Sequence, residues 1–269
     1  MTQEEIAKAE TDGYYVARQL FDPEEVEIIR ETFMQQASSG PVPGMSDIRA
    51  EYTKDDPLSF YPRMMQPSDH LEHAVGPLSR RYILDERVHN ILKVLMHDEP
   101  ITAQSMFYFK PPGARGQDMH QDNYYLRVKP GTCMAAWIAV DDADEENGGL
   151  KVIPGTHTME VACPTPSDSS LYFTYDHVEV PGKEPIHIDL KAGDCLFFNG
   201  SLVHGSSPNR SRDRFRRALI LHYLPLGSEE LSPGYANPLR FDGTPVRFAP
   251  ATGGGPCGGD VVPLPASPH

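Results

Sequence analysis

The residues with the clearest capacity for chemistry lie in Met119-His120-Gln121-Asp122. Alternate side chains of an extended strand share a face, so His120 and Asp122 can reach one ion together. One imidazole and one carboxylate are two thirds of the facial triad that holds non-haem Fe(II) and leaves positions open for a co-substrate and O2. The third ligand must then be a distant histidine. His204 suits the role: it follows the buried-strand run Asp194-Cys-Leu-Phe-Phe-Asn199, and the small Gly205 and Ser206 leave room beside it for a bound molecule. Further on, Arg216 opens the run Arg-Arg-Ala-Leu-Ile-Leu-His-Tyr. An antiparallel return after 205–215 carries its guanidinium alongside the metal strand, where the planar fork can grip a carboxylate.

Other chemistry-bearing residues read as structural. His187-Ile-Asp189 repeats the ligand spacing, but Ile186, Ile188 and Leu190 take the core face and turn the pair outward. His187 is also too near His204 in sequence to face it across a barrel. His222 shares the strand face of Arg216 but lies about 20 Å from it in an extended chain, so a structural role is expected. His157, in Pro-Gly-Thr-His, organises a loop, and His70, His73, His89 and His97 fall on or near helices. The run Asp141-Asp-Ala-Asp-Glu-Glu before Asn147-Gly-Gly lacks the ligand spacing of a calcium loop and reads as a solvated turn.

These candidates need elements to position them. Asp22 as N-cap and Pro23 in the first turn open a helix whose Val26, Ile29, Phe33 and Met34 share a face, and Ser-Ser-Gly-Pro at 38–41 stops it. A second helix is expected over 77–97, with Leu78, Tyr82, Leu84, Val88, Ile91, Leu92 and Leu95 buried. From 101 the pattern changes to short β-branched and aromatic runs near 101–110, 117–127, 132–140, 149–154, 186–191, 194–199 and 216–224, bounded by Pro and Gly. Helices followed by many strands predict an α+β, mainly β chain whose strands close into a jelly roll or barrel. We read one domain over 1–248 with its core at about 101–224, a lid-like insertion at 157–185, and a Pro/Gly-rich, poorly packed tail at 249–269.

The composition excludes several classes. Lys and Arg number 24 against 38 Asp and Glu, and the net charge of −14 repels a phosphate backbone, so no nucleic-acid partner is expected. No apolar run approaches the roughly 20 residues of a membrane span, and the acidic start Met1-Thr-Gln-Glu-Glu is not a signal peptide. Cysteines 133, 163, 195 and 257 form no metal-binding spacing. A disulfide framework is not expected, and a cytoplasmic location fits.

In order along the chain, Lys110-Pro-Pro, His120-Gln-Asp, Ala136-Trp137, Asn147-Gly-Gly-Leu, Ile153-Pro-Gly-Thr-His157, Gly193-Asp194, His204-Gly-Ser and Phe215-Arg-Arg-Ala resemble the phytanoyl-CoA dioxygenase family of Fe(II)- and 2-oxoglutarate-dependent oxygenases. The resemblance covers about 101–224. It implies a double-stranded β-helix, a cupin-like jelly roll, flanked by the N-terminal helices, with iron on His120, Asp122 and His204. It puts the far carboxylate of 2-oxoglutarate on Arg216 with Ser206 donating a hydrogen bond, and Trp137 and Met106 in the same pocket. Gln104, on the strand face of Met106, is grouped with them. One extra residue between His204 and the arginine makes Arg214 a rival to Arg216, and the Phe-Arg-Arg-Ala context favours Arg216. Halogenating relatives carry Ala or Gly at the carboxylate position. Asp122 therefore implies hydroxylation, with O2 consumed and succinate and CO2 released.

Desaturation, epimerisation or ring formation would use the same oxidant, and a non-catalytic cupin-like binder or a zinc-dependent enzyme are the alternatives of other classes. The substrate is expected to be a small molecule. Asn123, Tyr124 and Tyr125 follow the metal carboxylate, loops 38–68, 157–185 and 225–248 are expected to wall the entrance, and Tyr52, Tyr61 and Arg63 are candidate contacts. The acidic charge balance favours a polar or cationic molecule over an acyl-CoA. Oligomeric state has no signature in the sequence.

Overall fold

The alternation of apolar residues in the C-terminal two thirds of the chain becomes two facing sheets. In the computed structural model, residues 1–251 and Cys257 are described. The strands that matter here are β1 (Tyr14–Ala17), β2 (Met64–Met65), β3 (Pro100–Tyr108), β4 (Gln117–His120), β5 (Met134–Ala139), β6 (Leu150–Val152), β7 (Ile186–His187), β8 (Cys195–Asn199), β9 (His204–Ser206) and β10 (Ala218–Pro225). A six-stranded sheet has the order β1-β8-β5-β10-β3-β2, and a four-stranded sheet the order β4-β9-β6-β7, with antiparallel pairing throughout. From β3 to β6 and again from β7 to β10, successive strands cross between the sheets, while β6 and β7 pair within the smaller one. This is the connectivity of a double-stranded β-helix, as the sequence pattern leads one to expect.

Two apolar layers follow from the period of two along each strand. On β10, Leu219, Leu221 and Tyr223 face helices, in a core with Val26, Ile29, Phe33 and Phe107. Phe33 stacks on Phe107 with ring centroids 3.8 Å apart. Ala218 and Ile220 face the other way, between the sheets, with Met106, Trp137, Leu150 and Phe198. Ile220 is in register with both Met106 and Trp137, and His222 with both Gln104 and Ala135.

The outer layer is helical. Helix α1 (Gln3–Asp12) opens with a reciprocal Thr2–Glu5 capping box, a signal the sequence carried but the reading above passed over. Helix α2 (Pro23–Ser38) is capped by Asp22 as expected. The single helix expected over 77–97 is two: α3 (Val75–Ile83) and α4 (Glu86–Met96). The break has a local cause, since the Asp85 side chain accepts from the Arg87 N–H and starts a new helix. The predicted stripe survives on both pieces, with Tyr82, Val88 and Leu92 buried.

Other expectations need correction. The strand foreseen over 117–127 stops at His120, and the chain turns into the short helix α5 (Asn123–Leu126). Insertion 157–185 forms its own strand pair, Thr165–Pro166 with Asp176–His177, and runs beside β4, where Phe173 N donates to the Gly116 carbonyl and Val178 N to that of Met119. Cys163 and Cys257 form a disulfide, against the expectation of none, while Cys133 and Cys195 are free and buried as foreseen. At the start of the tail, Ala249–Pro250 pairs with Glu230–Leu231. Residues 252–256 and 258–269 of that tail lie outside the described residues. Among the described residues, no helix is long and apolar enough to cross a membrane.

Candidate active site

Between the sheets lies a cleft of about 410 Å³ whose wall includes His120, Asp122 and His204 at one end and Arg216 and Ser206 at the other. His120 and His204 face each other from register-paired positions on β4 and β9. Gly205 makes that pairing close: a Cβ there would sit 2.9 Å from the Gln117 carbonyl oxygen. Its smallness thus admits the neighbouring strand, not a ligand. Asp122 reaches the pair from helical backbone (φ −59°, ψ −34°) just before α5, so a turn and not strand alternation brings it there. One ligand atom from each of the three lies within 4.8 Å of the others.

The hydrogen bonds around these side chains set their donor atoms. His120 Nδ1 lies 2.7 Å from the Asp118 carbonyl oxygen, and His204 Nδ1 lies 2.9 Å from that of Leu202. A carbonyl can only accept, so each Nδ1 carries the proton and each Nε2 keeps a lone pair for the shared centre. The Gln117 amide nitrogen, 3.0 Å from His120 Nε2, marks the direction of that lone pair. Burial brings the His204 pKa down to about 4, so the ring is neutral near pH 7. Burial alone would raise the Asp122 pKa, but His204 and His222 hold its carboxyl well below the usual carboxylate range. Two imidazoles and one carboxylate, all 3–5% exposed, are a donor set that fits a divalent non-haem iron with positions to spare.

His222 corrects the sequence reading. Its Nε2 donates to Asp122 Oδ2 at 3.0 Å, and its Nδ1 accepts from the Gln104 amide at 3.3 Å. The relay Gln104–His222–Asp122 fixes one carboxylate oxygen and leaves Oδ1 facing the imidazoles, 3.4 Å from His120 Nε2 and 3.6 Å from His204 Nε2. His222 is far from Arg216 and yet in the site, because β10 crosses the whole cleft and the acid–imidazole cluster sits at the His222 end. Gln104 is buried behind His222 and does not line the cleft, whereas Met106 and Trp137 do.

At the other end, Arg216 is 1% exposed and its Nε donates to the Gly148 carbonyl at 3.1 Å. Its Nη1 has no partner among the described residues, and its guanidinium carbon lies 5.3 Å from the Trp137 ring centroid. Burial lowers its pKa to about 10, so it remains charged at neutral pH. Arg214 is spent elsewhere, with both Nη atoms 2.8 Å from Asp144.

Lys110, noticed in the sequence only as part of Lys-Pro-Pro, is buried beneath Ser206. Its Nζ donates to Ser206 Oγ at 2.8 Å, to the Gly148 carbonyl at 2.9 Å and to the Ser207 carbonyl. Burial, with Arg216 and Lys151 nearby, holds its pKa well below the ordinary lysine value. Ser206 Oγ also accepts from the Gln117 N–H at 3.2 Å. With both lone pairs engaged, its hydroxyl proton can only be given outward. Gly148 presents its carbonyl to both cations from φ +75°, where a Cβ would meet the Ser207 oxygen at 2.4 Å. The acidic turn expected to be merely solvated therefore ends in a carbonyl that orients the arginine.

Several other candidates fall outside the cleft. Asn123 bonds within its own turn to Val128, and Tyr125 donates to Asp176. His187 lies 3.7 Å from Glu145, and His157 Nε2 lies 3.1 Å from the Glu10 carbonyl oxygen, in keeping with structural roles.

Comparison with known proteins places this geometry in a family. A family model for phytanoyl-CoA dioxygenase (PhyH) matches residues 9–218. A rice (Oryza sativa subsp. japonica) protein named phytanoyl-CoA dioxygenase 1 is 32% identical over 157 residues, covering 58% of this chain and 56% of its own. The chain thus matches little more than half the length of that relative. A zebrafish (Danio rerio) phytanoyl-CoA dioxygenase domain-containing protein 1 is 27% identical over 277 residues, covering 87% of this chain and 93% of its own. Among solved structures, the epimerase SnoN in complex with Fe3+, alpha ketoglutarate and nogalamycin RO superposes with a TM-score of 0.65 at 20% identity, covering 93% of this chain and 95% of that one. At that identity the likeness is one of fold. With a family match spanning most of the chain and a jelly-roll core around a His-Asp-His cluster, this chain belongs to the phytanoyl-CoA dioxygenase family of Fe(II)- and 2-oxoglutarate-dependent oxygenases.

Proposed function

We propose that the chain is a dioxygenase that hydroxylates an unactivated C–H bond of a small molecule, consuming 2-oxoglutarate and O2 and releasing succinate and CO2. The observation that carries this reading is the pairing, in one cleft, of a His120–Asp122–His204 donor set with a buried, partly unpartnered Arg216. Fe(II) held by those three side chains supplies the oxidative chemistry. The protein's own residues do the rest. Backbone carbonyls of Asp118 and Leu202 hold the imidazole tautomers, and His222 holds the carboxylate. Arg216 Nη1 and the Ser206 hydroxyl offer two donors to the distal carboxylate of 2-oxoglutarate, and Lys110 Nζ, bonded to Ser206 Oγ, holds that hydroxyl in place. Phe198 packs against the His204 ring, with centroids 4.4 Å apart, and limits its rotation. Because Asp122 fills the carboxylate position, no gap is left there for a halide.

Succinate release, screened across a library of small molecules with Fe(II) and 2-oxoglutarate present, tests the reading. Wild-type protein should release succinate in a substrate-dependent way and the His120→Ala variant none. A library that elicits no more succinate from wild type than from the variant counts against a dioxygenase and for a binding protein of the same fold.

A further inference from the structure

A second cavity of about 360 Å³ adjoins the cleft, sharing Tyr108 and Arg216 as a wall. Its charge is unlike that of the rest of the molecule. In a chain of net charge −14, the lining holds Arg63, Arg115, Lys110 and Arg216 and no Asp or Glu. Two of these cations are already matched: Arg115 Nη2 lies 2.7 Å from Asp56, and Lys110 is bonded to Ser206 and two carbonyls. Arg216 belongs to the co-substrate end of the cleft. Arg63 remains. It is 6% exposed, its Nε is tied to Asp47 at 2.6 Å, its Nη1 donates to Tyr108 Oη at 3.0 Å, and its Nη2 has no partner among the described residues. Asp47 also bonds Arg49, so one carboxylate serves two guanidinium groups and a positive charge is left over. Tyr108 Oη accepts from Arg63, which leaves its own proton without an acceptor among the described residues. The guanidinium is held flat, 5.3 Å from the Phe173 centroid and 5.8 Å from that of Tyr108, so its free nitrogen has a fixed direction. The other walls are apolar and aromatic, from Tyr52, Leu58 and Tyr61.

The geometry points to a substrate-binding pocket for a small, singly charged carboxylate with a flat apolar body, its two oxygens taken by Arg63 Nη2 and the Tyr108 hydroxyl. This deepens the proposed function and rests on it. One free guanidinium nitrogen and one hydroxyl match the two oxygens of a carboxylate, and the aromatic and apolar walls suit a flat apolar body. A cation finds no counter-charge there, which reverses the preference drawn from the overall acidity. The multiply charged nucleotide end of an acyl-CoA exceeds the free donors.

The probe is phenylacetate, with phenethylamine as its cationic counterpart. Each is titrated by calorimetry, without oxygen, into the full chain carrying Fe(II) and saturating 2-oxoglutarate, whose visible absorption band is recorded first. We expect phenylacetate to bind in one-to-one ratio, phenethylamine not to bind, and Arg63→Met to weaken phenylacetate about tenfold or more. Tyr108→Phe keeps the Arg63–Asp47 pair and should weaken it several-fold, which serves if the arginine variant fails to fold. The assignment is overturned if the amine binds as well as the acid, if neither binds, if the two variants bind as wild type does, or if phenylacetate binds only when 2-oxoglutarate is withheld. An absent absorption band in wild type would instead count against the parent reading.

Discussion

His222 provides a stringent test because its sequence position suggested no part in the site. Replacing it by phenylalanine keeps ring volume and burial while removing the Nε2 donor 3.0 Å from Asp122 Oδ2. The carboxylate, 3% exposed, then loses a charge-assisted hydrogen bond and the group that orients Oδ1. Such bonds contribute about 1.5–3 kcal/mol, and loss of an outer partner of a metal ligand commonly weakens the metal by about 10–100-fold. The two scales meet near 2 kcal/mol, or roughly thirtyfold. Anaerobic calorimetry of Fe(II) binding reads this directly, and circular dichroism verifies the fold. Gln104→Leu should weaken binding less, because His222 stays and only its tautomer is freed. A folded His222→Phe protein that binds Fe(II) within twofold of wild type would refute the relay.

The two arginines separate cleanly. Arg216→Met should weaken 2-oxoglutarate by about 3 kcal/mol, on the order of a hundredfold, whereas Arg214→Met should bind within twofold of wild type; equal losses in equilibrium binding would show that the anchor has been misassigned. Lys110→Met leaves the Ser207 carbonyl without its donor and the Gly148 carbonyl with Arg216 Nε alone, at a cost of about 2–3 kcal/mol. The calorimetric unfolding midpoint should drop by roughly 5–10 °C, and an unchanged midpoint contradicts a structural hold by this ammonium. Acid sensitivity has one traceable source in Glu25, whose pKa is lowered by hydrogen bonds from Arg87 and, against its partial burial, by its capping contact with Asp22. A carboxyl with a depressed folded-state pKa contributes stability above its unfolded value, near 4.3, and loses it as pH falls through the folded value. Denaturant titrations of Glu25→Gln should therefore show a shallower fall in stability below about pH 4.3 than wild type, and parallel curves would exclude this source.

The order of strands and the ligand set were legible because both rest on local signals. Short apolar runs bounded by turn residues mark β3, β5, β8 and β10, and the residues His120, Asp122 and His204 carry their chemistry in their side-chain types. What escaped was set by long-range geometry. The position of His222 follows from how far β10 travels across the cleft, which no window of sequence contains. The backbone of Asp122 was misjudged because the turn at α5 interrupts a run that still looks strand-like. The weight of Lys110 and Gly148 became visible only when β9, the Asn147-Gly148 turn and the chain end of β3 met around Ser206. The loops foreseen as walls were partly right. Tyr52, Tyr61 and Arg63 from 38–68 and Phe173 from 157–185 line the second cavity, and no residue of 225–248 does. The charge of the second cavity was out of the sequence's reach for a related reason. Net charge describes the surface average, while a cavity's polarity depends on which few side chains the fold turns inward.

The most direct test of the central claim is the visible absorption of the full chain titrated with 2-oxoglutarate in the presence of Fe(II) and without oxygen. A His120–Asp122–His204 centre facing Arg216 predicts a weak charge-transfer band that saturates at one equivalent, is absent with Zn(II), and is lost in His204→Ala. A folded wild-type protein that gives no band at saturating Fe(II) and 2-oxoglutarate would contradict the account.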